Sequence, residues 1–269
     1  MEALRKRMAE MVQQGLCLAF SGGVDSSLLL QLACEEAKRL GKEVHAVTFS
    51  TRLHPAADVE IARRVSGEMG ARHVVLEVNE LDNPALLNNP VDRCYQCKKY
   101  LFERLVEYAR EQGLPCVAEG TNADDLLVYR PGIRAIRELG IASPLAELGV
   151  TKNQVRQWSE QLGISVAKRP STPCMATRLP YGTRIDFDLL RRIDEGECFL
   201  RELGFGVVRL RVHGEIARVE IETRQFGEFL EQRKVIIDRL HQLGFPYVTM
   251  DVEGFRSGSM DIHISKGTE

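Results

Sequence analysis

Four short apolar runs recur through the first half of the chain: LCLAF (16–20), EVHAVTF (43–49), RHVVLEV (72–78) and PCVAEG (115–120). Between them lie VDSSLLLQLACEEAKRL, AADVEIARRVSGEMG and KKYLFERLVEYAREQG, whose apolar residues return at helical spacing. Strands alternating with helices predict a parallel sheet with crossovers, an α/β class fold. Ligands of such sheets lie beyond the carboxyl ends of the strands, so residues that carry chemistry should follow the apolar runs. SGGVDSS follows the first run, Ser50-Thr51-Arg52 the second, and Gly120-Thr121-Asn122-Ala123-Asp124-Asp125 the fourth. From Thr151, TKNQVRQWSEQLG predicts a helix with a threonine cap, and VAKRPSTPCMATRLPYGTRI then excludes a regular element through its three prolines. Beyond it the pattern changes to a helix (DLLRRIDEGECFLRELG) and two alternating strands, VVRLRV and IARVEI, joined at His213-Gly214. A helix over QFGEFLEQRKVIIDRLHQLG and a strand at YVTMDV follow. This predicts a smaller α/β unit with an antiparallel pair, and a boundary near Asp186 that gives domains 1–185 and 186–269.

The stretch 16–30 reads as strand, glycine turn, helix. Gly22 and Gly23 let the backbone approach a ligand closely, and the free N–H groups at the helix start carry partial positive charge, so an anion belongs there. Hydroxyls of Ser21, Ser26 and Ser27 can donate further, and Asp25 becomes useful if magnesium sits between it and a phosphate. There is no GxxxxGK[ST], hence no Walker lysine, and no GxGxxG. The match is to SGGxDS, and the turn resembles the PP-loop of ATP pyrophosphatases, which cleave ATP between the alpha and beta phosphates. The plainer alternative is a serine-rich helix cap. Asp124 and Asp125 suit either magnesium or a helix start.

Composition narrows the partners. With 269 residues, 44% hydrophobic and 28% charged content and a formal net charge of −2, the chain lacks the basic excess that nucleic-acid binding favours. No apolar run reaches membrane-spanning length and the start MEALRKRMAEMVQQG has no signal-peptide core, so neither a nucleic acid nor a membrane is expected and the cytoplasm is the expected compartment. The seven cysteines are then thiols. Cys17 and Cys116 fall in predicted strands and Cys34 and Cys198 in predicted helices, where all four read as small core residues.

Cys94 and Cys97 form DRCYQCKK immediately before a predicted helix, and Cys174 sits in the proline loop with Lys168, Arg169 and Arg178 near it in sequence to stabilise a thiolate. Two thiolates need further ligands to hold a metal. Cys174 is the natural third; His54 or His73 would complete a zinc site, and three cysteines with an open position suit a 4Fe-4S cluster. A coincidental spacing or a redox pair are the plainer alternatives for C-x-x-C, although the usual place of a redox pair just after a strand is lacking.

SGGVDSS, DRCYQCKK, EGTNADD, Tyr129-Arg130-Pro131-Gly132, RPSTPCMATRLPYG, RLRVHGEIARVEI and GFRSG occur in this order over nearly the whole chain. Together they resemble the LarE family, ATP-dependent sulfur transferases that help build the nickel-pincer cofactor of lactate racemase. The resemblance implies a PP-loop ATP pyrophosphatase sheet with a smaller C-terminal domain. It also implies adenylylation by ATP of a carboxylate of pyridinium-3,5-biscarboxylic acid mononucleotide, and sulfur delivery to give a thiocarboxylate and AMP. Ser21, Gly22, Gly23, Asp25, Ser26 and Ser27 would hold pyrophosphate and Mg2+, with Ser50 and Gly120 beside the nucleotide. Arg209 and Arg211 would anchor the substrate phosphate, although an exposed basic strand face would carry the same pattern, and Glu220 and Glu228 would lie at a metal. Members in which the cysteine matching Cys174 stands alone give up its sulfur and make dehydroalanine; this chain, with Cys94 and Cys97 present, resembles the three-cysteine type that carries sulfur from sulfide or a cysteine-derived donor through a 4Fe-4S cluster. The family implies a homo-oligomer. A PP-loop tRNA thiolase is the alternative function, and an amide-forming ligase or a non-enzymatic nucleotide sensor would leave the three cysteines without a joint purpose.

Overall fold

The computed structural model of the chain describes residues 1–128, 130–170, 173–256 and 258–260; Tyr129, Ser171, Thr172 and Ser257 of the motifs quoted above lie outside the described residues. Contacts gather the chain into two units, Met1–Asn83 with Asp92–Thr172, and Pro84–Val91 with Pro173–Glu269. The proline loop from Pro173 onward thus belongs to the second unit, ahead of the boundary expected near Asp186.

The first unit opens with α1 (Glu2–Gln14), then β1 (Leu16–Ala19), α2 (Val24–Leu40), β2 (His45–Ser50), α3 (Ala56–Met69) and β3 (Arg72–Glu77). It continues with α4 (Arg93–Glu111), β4 (Cys116–Ala118), two short helices α5 (Gly132–Glu138) and α6 (Pro144–Glu147), and α7 (Lys152–Gln161). All four strands pair in parallel in the order β3-β2-β1-β4, the α/β sheet that the alternating pattern predicts. Strand periodicity decides which face each residue serves. Leu16, Leu18 and Ala46 pack into one core with α1, α2 and the buried side of α3 and α7, whereas Cys17 and Val47 turn to the other, against Leu101, Phe102 and Leu105 of α4. Both faces are therefore covered, as a parallel sheet requires. The helix containing Cys94 and Cys97 starts at Arg93, so both cysteines lie inside its first turns rather than ahead of it.

The second unit carries α8 (Phe187–Glu202), β5 (Val208–His213), β6 (Ile216–Ile221), α9 (Phe226–Glu231), α10 (Arg233–Gln242) and β7 (Tyr247–Met250). β5 and β6 are antiparallel around Gly214, and β7 joins β6 in parallel. The single helix expected over 225–244 is broken at Gln232, where the backbone takes φ −89° and ψ 4°. Leu210 and Val212 of β5 and Ala217, Val219 and Ile221 of β6 are buried, together with Leu190, Ile193 and Leu200 of α8. The intervening residues Arg209, Arg211, Arg218 and Glu220 occupy the other sheet face, so one side of this sheet is charged. Segment 84–91 is tied to the proline loop by Asn89, fully buried at φ 48°, whose side-chain amide donates to the carbonyls of Leu179 (3.2 Å) and Pro180 (2.8 Å). Its own carbonyl accepts from Gly182 N, and Leu87 O accepts from Ile185 N.

Candidate active site

In the first unit the turn after β1 is built to face an anion. Gly22 adopts φ 65°, and a Cβ there would stand 3.0 Å from the backbone of Ala62 on α3, so a glycine is required on both counts. Gly23 then starts α2 from an extended conformation with no side-chain cap, which leaves the first N–H groups of a 17-residue helix to a ligand. The serines bond one another around this turn: Ser21 Oγ lies 3.2 Å from Ser26 Oγ, Gly23 N donates to Ser21 Oγ (3.3 Å), and Ser26 Oγ donates to Gly23 O (3.1 Å). Ser27 is fully buried, and its hydroxyl has no partner among the described residues.

The loop after β4 closes one side of the turn. A Cβ on Gly120 would stand 3.0 Å from Ser26 N, and Asn122 Nδ2 donates to Asp25 Oδ1 (3.1 Å). Asn122 also caps the short turn 123–127 by accepting from Asp124 N and Asp125 N, while Asp125 answers Asn122 N. Asp124 Oδ2 accepts from Lys152 N (2.8 Å). Both aspartates thus organise helix starts. Thr48 Oγ1 donates to Phe20 O (2.7 Å), and Ser50 ends β2 with its carbonyl accepting from Val78 N.

Two cations that the sequence did not announce reach this turn. Lys152, the first residue of α7, forms an ion pair with Asp25 across 127 residues of chain. Arg169 donates to Gly22 O (3.3 Å) and pairs with Asp58 in the first turn of α3. The absence of a Walker lysine was the one available signal, because a triphosphate needs compensating charge from somewhere. The positions that supply it are fixed only by tertiary packing.

The cysteines divide between the units. Cys94 is exposed and Cys97 half-buried, one turn apart on α4, with Arg93 donating to Cys94 Sγ (3.6 Å). Two soft donors at i and i+3 of a helix fit part of a thiolate site. Cys174 is half-buried in the second unit. Among the described residues, no three His, Cys, Asp or Glu gather as a metal site. Cys17 is buried and its thiol is pushed up to about 12, and burial raises Cys34 to about 11, in keeping with core roles. Cys116 is partly buried against the core that also holds Cys34. Cys198 corrects the expectation of a core residue: it is exposed, and its sulfur accepts from Arg201 (3.1 Å). The buried face of α8 runs through Leu190, Ile193, Glu197 and Leu200, and position 198 lies off that stripe.

In the second unit Arg178 fixes the chain at Cys174. Its Nη1 donates to Pro173 O (3.1 Å), Thr177 Oγ1 (3.0 Å) and Cys174 O (3.4 Å), so it meets the backbone around Cys174. The rest of the guanidinium grips Glu197 by two bonds of 2.8 and 2.9 Å, with both side chains 1% exposed. Burial alone would raise the Glu197 carboxyl, but the bonds and charge of Arg178 and the amide of Leu210 hold it below the usual range.

The two strand arginines differ. Arg211 is buried and committed to Glu220 (3.1 Å), Thr177 O (2.7 Å) and Ser259 Oγ (3.1 Å). Arg209 has no carboxylate ion pair among the described residues; it donates to Val208 O and lies 5.2 Å over the ring of Phe255. Burial first, then the charge of Arg178 and less strongly those of Arg211 and Arg201, push it down to about 10 against the opposing charge of Glu197. Glu220, fully buried, accepts from Arg211, Arg218 and Ser259, whereas Glu228 is exposed on α9.

No described helix is long and apolar enough to cross a membrane. Residues 1–161 match the asparagine synthase family model, a PP-loop family. Over 254 residues the chain is 35% identical to the pyridinium-3,5-bisthiocarboxylic acid mononucleotide synthase of Lactiplantibacillus plantarum, covering 94% of this chain and 91% of that protein. An uncharacterised protein of Synechocystis sp. is 37% identical over 93% of this chain and 92% of its own length. The tRNA-specific 2-thiouridylase MnmA of Brucella suis is 30% identical over a region covering 56% of this chain and 46% of that enzyme. A phosphate turn of SGGxDS type at the end of β1 of a parallel sheet, with likeness to the synthase over 94% of the chain, places the chain in the LarE family of ATP-dependent sulfur transferases.

Proposed function

We propose that the chain uses Mg2+ and ATP to adenylylate a carboxylate of pyridinium-3,5-biscarboxylic acid mononucleotide and then replaces AMP with sulfur, giving a thiocarboxylate. The substrate carboxylate oxygen attacks the alpha phosphorus, and pyrophosphate leaves. A hydrosulfide then adds to the activated carbonyl, AMP leaves, and one proton is released. The observation that carries this proposal is the likeness to the L. plantarum synthase over 94% of the chain.

The chain's own groups fit the first step. Phosphate oxygens would take the free N–H groups of α2 and the hydroxyls of Ser21 and Ser26, which bond only locally in the described structure. Asp25 offers a hard oxygen donor for magnesium, and Lys152, held at Asp25 beside the turn, would follow the leaving pyrophosphate. For sulfur, Cys94, Cys97 and Cys174 would be the thiolate donors of a 4Fe-4S cluster, of which the pair one turn apart on α4 is the part that a single unit holds together. When bound, such a cluster supplies an exchangeable sulfur site. Arg178 holds the Cys174 backbone in place. Arg209 would take the substrate phosphate.

Protein purified without oxygen is expected to contain about four iron atoms per chain, the content of one such cluster. Alanine at Cys94, Cys97 or Cys174 should remove the iron and sulfur transfer together. Several turnovers with added sulfide should leave the intact mass unchanged. A single turnover with loss of hydrogen sulfide from Cys174 would instead establish sacrificial transfer.

The strand arginines should separate by measurement. Arg209→Ala is expected to raise the KM for the mononucleotide about tenfold to a hundredfold, the worth of one charged hydrogen bond, with little change toward ATP. Arg211→Ala should act chiefly on the unfolding midpoint, because it takes a partner from buried Glu220. Equal KM effects from both would mean that neither arginine is distinguished by its ion pairing.

A further inference from the structure

Glu119 is a buried carboxylate, directly after β4, for which the proposed chemistry has no use. Both its oxygens are saturated. Oε1 accepts from Thr121 N (2.9 Å) and Ser143 Oγ (2.6 Å), while Oε2 accepts from Thr121 Oγ1 (2.8 Å) and Lys98 Nζ (3.2 Å). Its backbone N–H is bonded as well, to Ala142 O (2.9 Å). Burial opposes the charge, but Lys98 and these donors hold the carboxyl below its ordinary range, so it is ionised at neutral pH.

The two sides of this carboxylate lead to different chemistry. On one side Lys98 is the residue next to Cys97 on α4, with its ammonium also 5.3 Å over the ring of Phe102. On the other side Gly120 closes on Ser26 N and Asn122 donates to Asp25, both in the phosphate turn. A continuous path of bonds and close contacts therefore runs from the two-thiol helix through Lys98, Glu119 and Asn122 to the nucleotide turn, with the Glu119 carboxylate at its centre. All of it lies within the first unit.

We propose that Glu119 is a positioning residue that holds the two-thiol turn of α4 and the nucleotide turn in one register, acting through Lys98 on one side and Gly120–Asn122 on the other. The role rests on the proposed sulfur transfer, in which the two turns serve successive steps. Loss of the register would leave ATP cleaved without matching delivery of sulfur.

The test follows alkylation of Cys94 and Cys97 by iodoacetamide in protein freed of iron, where both thiols can react, read by peptide mass spectrometry, with and without Mg·ATP and without mononucleotide. In the native protein Mg·ATP should change the Cys97 rate by about fivefold, the lower end of ordinary site-to-site coupling. Glu119→Gln should reduce that dependence to less than about twofold, and Glu119→Gln/Lys98→Gln should go no further, since two residues on one path are not additive. If Glu119→Gln does not fold, Ser143→Ala, which removes a single donor, should lower the dependence part of the way. The ratio of AMP to thiocarboxylate should rise well above the native value in Glu119→Gln. A native rate indifferent to Mg·ATP, or one equally dependent in a folded variant, overturns the assignment of Glu119. If the native protein makes no thiocarboxylate at all, the proposed reaction fails while the thiol measurement still decides the role of Glu119.

Discussion

Arg178→Met is expected to lower the stability of the second unit by about 3–5 kcal/mol, because it leaves a fully enclosed carboxylate without its cation. Glu197 would retain the Leu210 amide and a 3.5 Å approach from Arg201, neither of which replaces two bonds of 2.8 and 2.9 Å. The unfolding midpoint should fall by on the order of 10 °C. The pH dependence supplies a second check. In the native protein Glu197 titrates below its unfolded value, so its contribution is complete above that value, about pH 4.3, and is lost as pH falls through the folded one. In the variant, burial without Arg178 raises the carboxyl, and protonation relieves the charge. The stability gap between native and variant should therefore narrow from pH 7 to pH 5. A gap that is constant over this range would show that the lost packing of the arginine stem, rather than stranded charge, accounts for the effect.

At the phosphate turn, Lys152→Met and Asp25→Ala should each reduce the kcat of AMP formation by about a hundredfold to a thousandfold, the scale of removing one preorganised electrostatic contact. Both side chains lie at the surface of the turn, with Lys152 33% and Asp25 21% exposed, so the fold should survive either change. For Lys152→Met the KM for ATP should move less than kcat if the ammonium follows charge that develops on the leaving pyrophosphate. A kcat within threefold of native, at an unchanged unfolding midpoint, would reduce the pair to a helix-start contact.

How much of this was legible in the chain depends on the range of the interaction concerned. The strands LCLAF and RHVVLEV and the capped helix at Thr151 announced themselves, because a period of two or 3.6 and a cap are properties of neighbouring residues. The glycine turn was legible for the same reason: its demand on Gly22 is local. Asp25–Lys152, Arg169–Asp58 and Arg178–Glu197 were not legible, since each joins residues far apart in sequence and no local pattern distinguishes a paired arginine from a solvated one. Cys198 is a different case. Counting from Leu190 and Ile193 would have placed it off the buried stripe, so its exposure was present in the periodicity. Lysine and arginine near Cys174 in sequence suggested a stabilised thiolate; the bonds that Arg178 makes to the carbonyl of Cys174 and Arg169 makes to Gly22 and Asp58 were not legible there, because side-chain direction is set by packing.

The position of Asn89 has a consequence for how the protein is made. The segment that carries it leaves the ribosome long before Leu179 and Pro180, whose carbonyls it satisfies, and before the strands of its own unit. The earlier unit can close around β1 to β4 once α7 has emerged, but residues 84–91 must wait, held as a loop, for the rest of the second unit to be synthesised. A fragment beginning at Pro173 would contain every strand of the small sheet and still lack this internal clasp. Supplied separately as a peptide, residues 84–91 would have to regain by binding what continuity of the chain provides, which makes the second unit a partner to its own earlier segment.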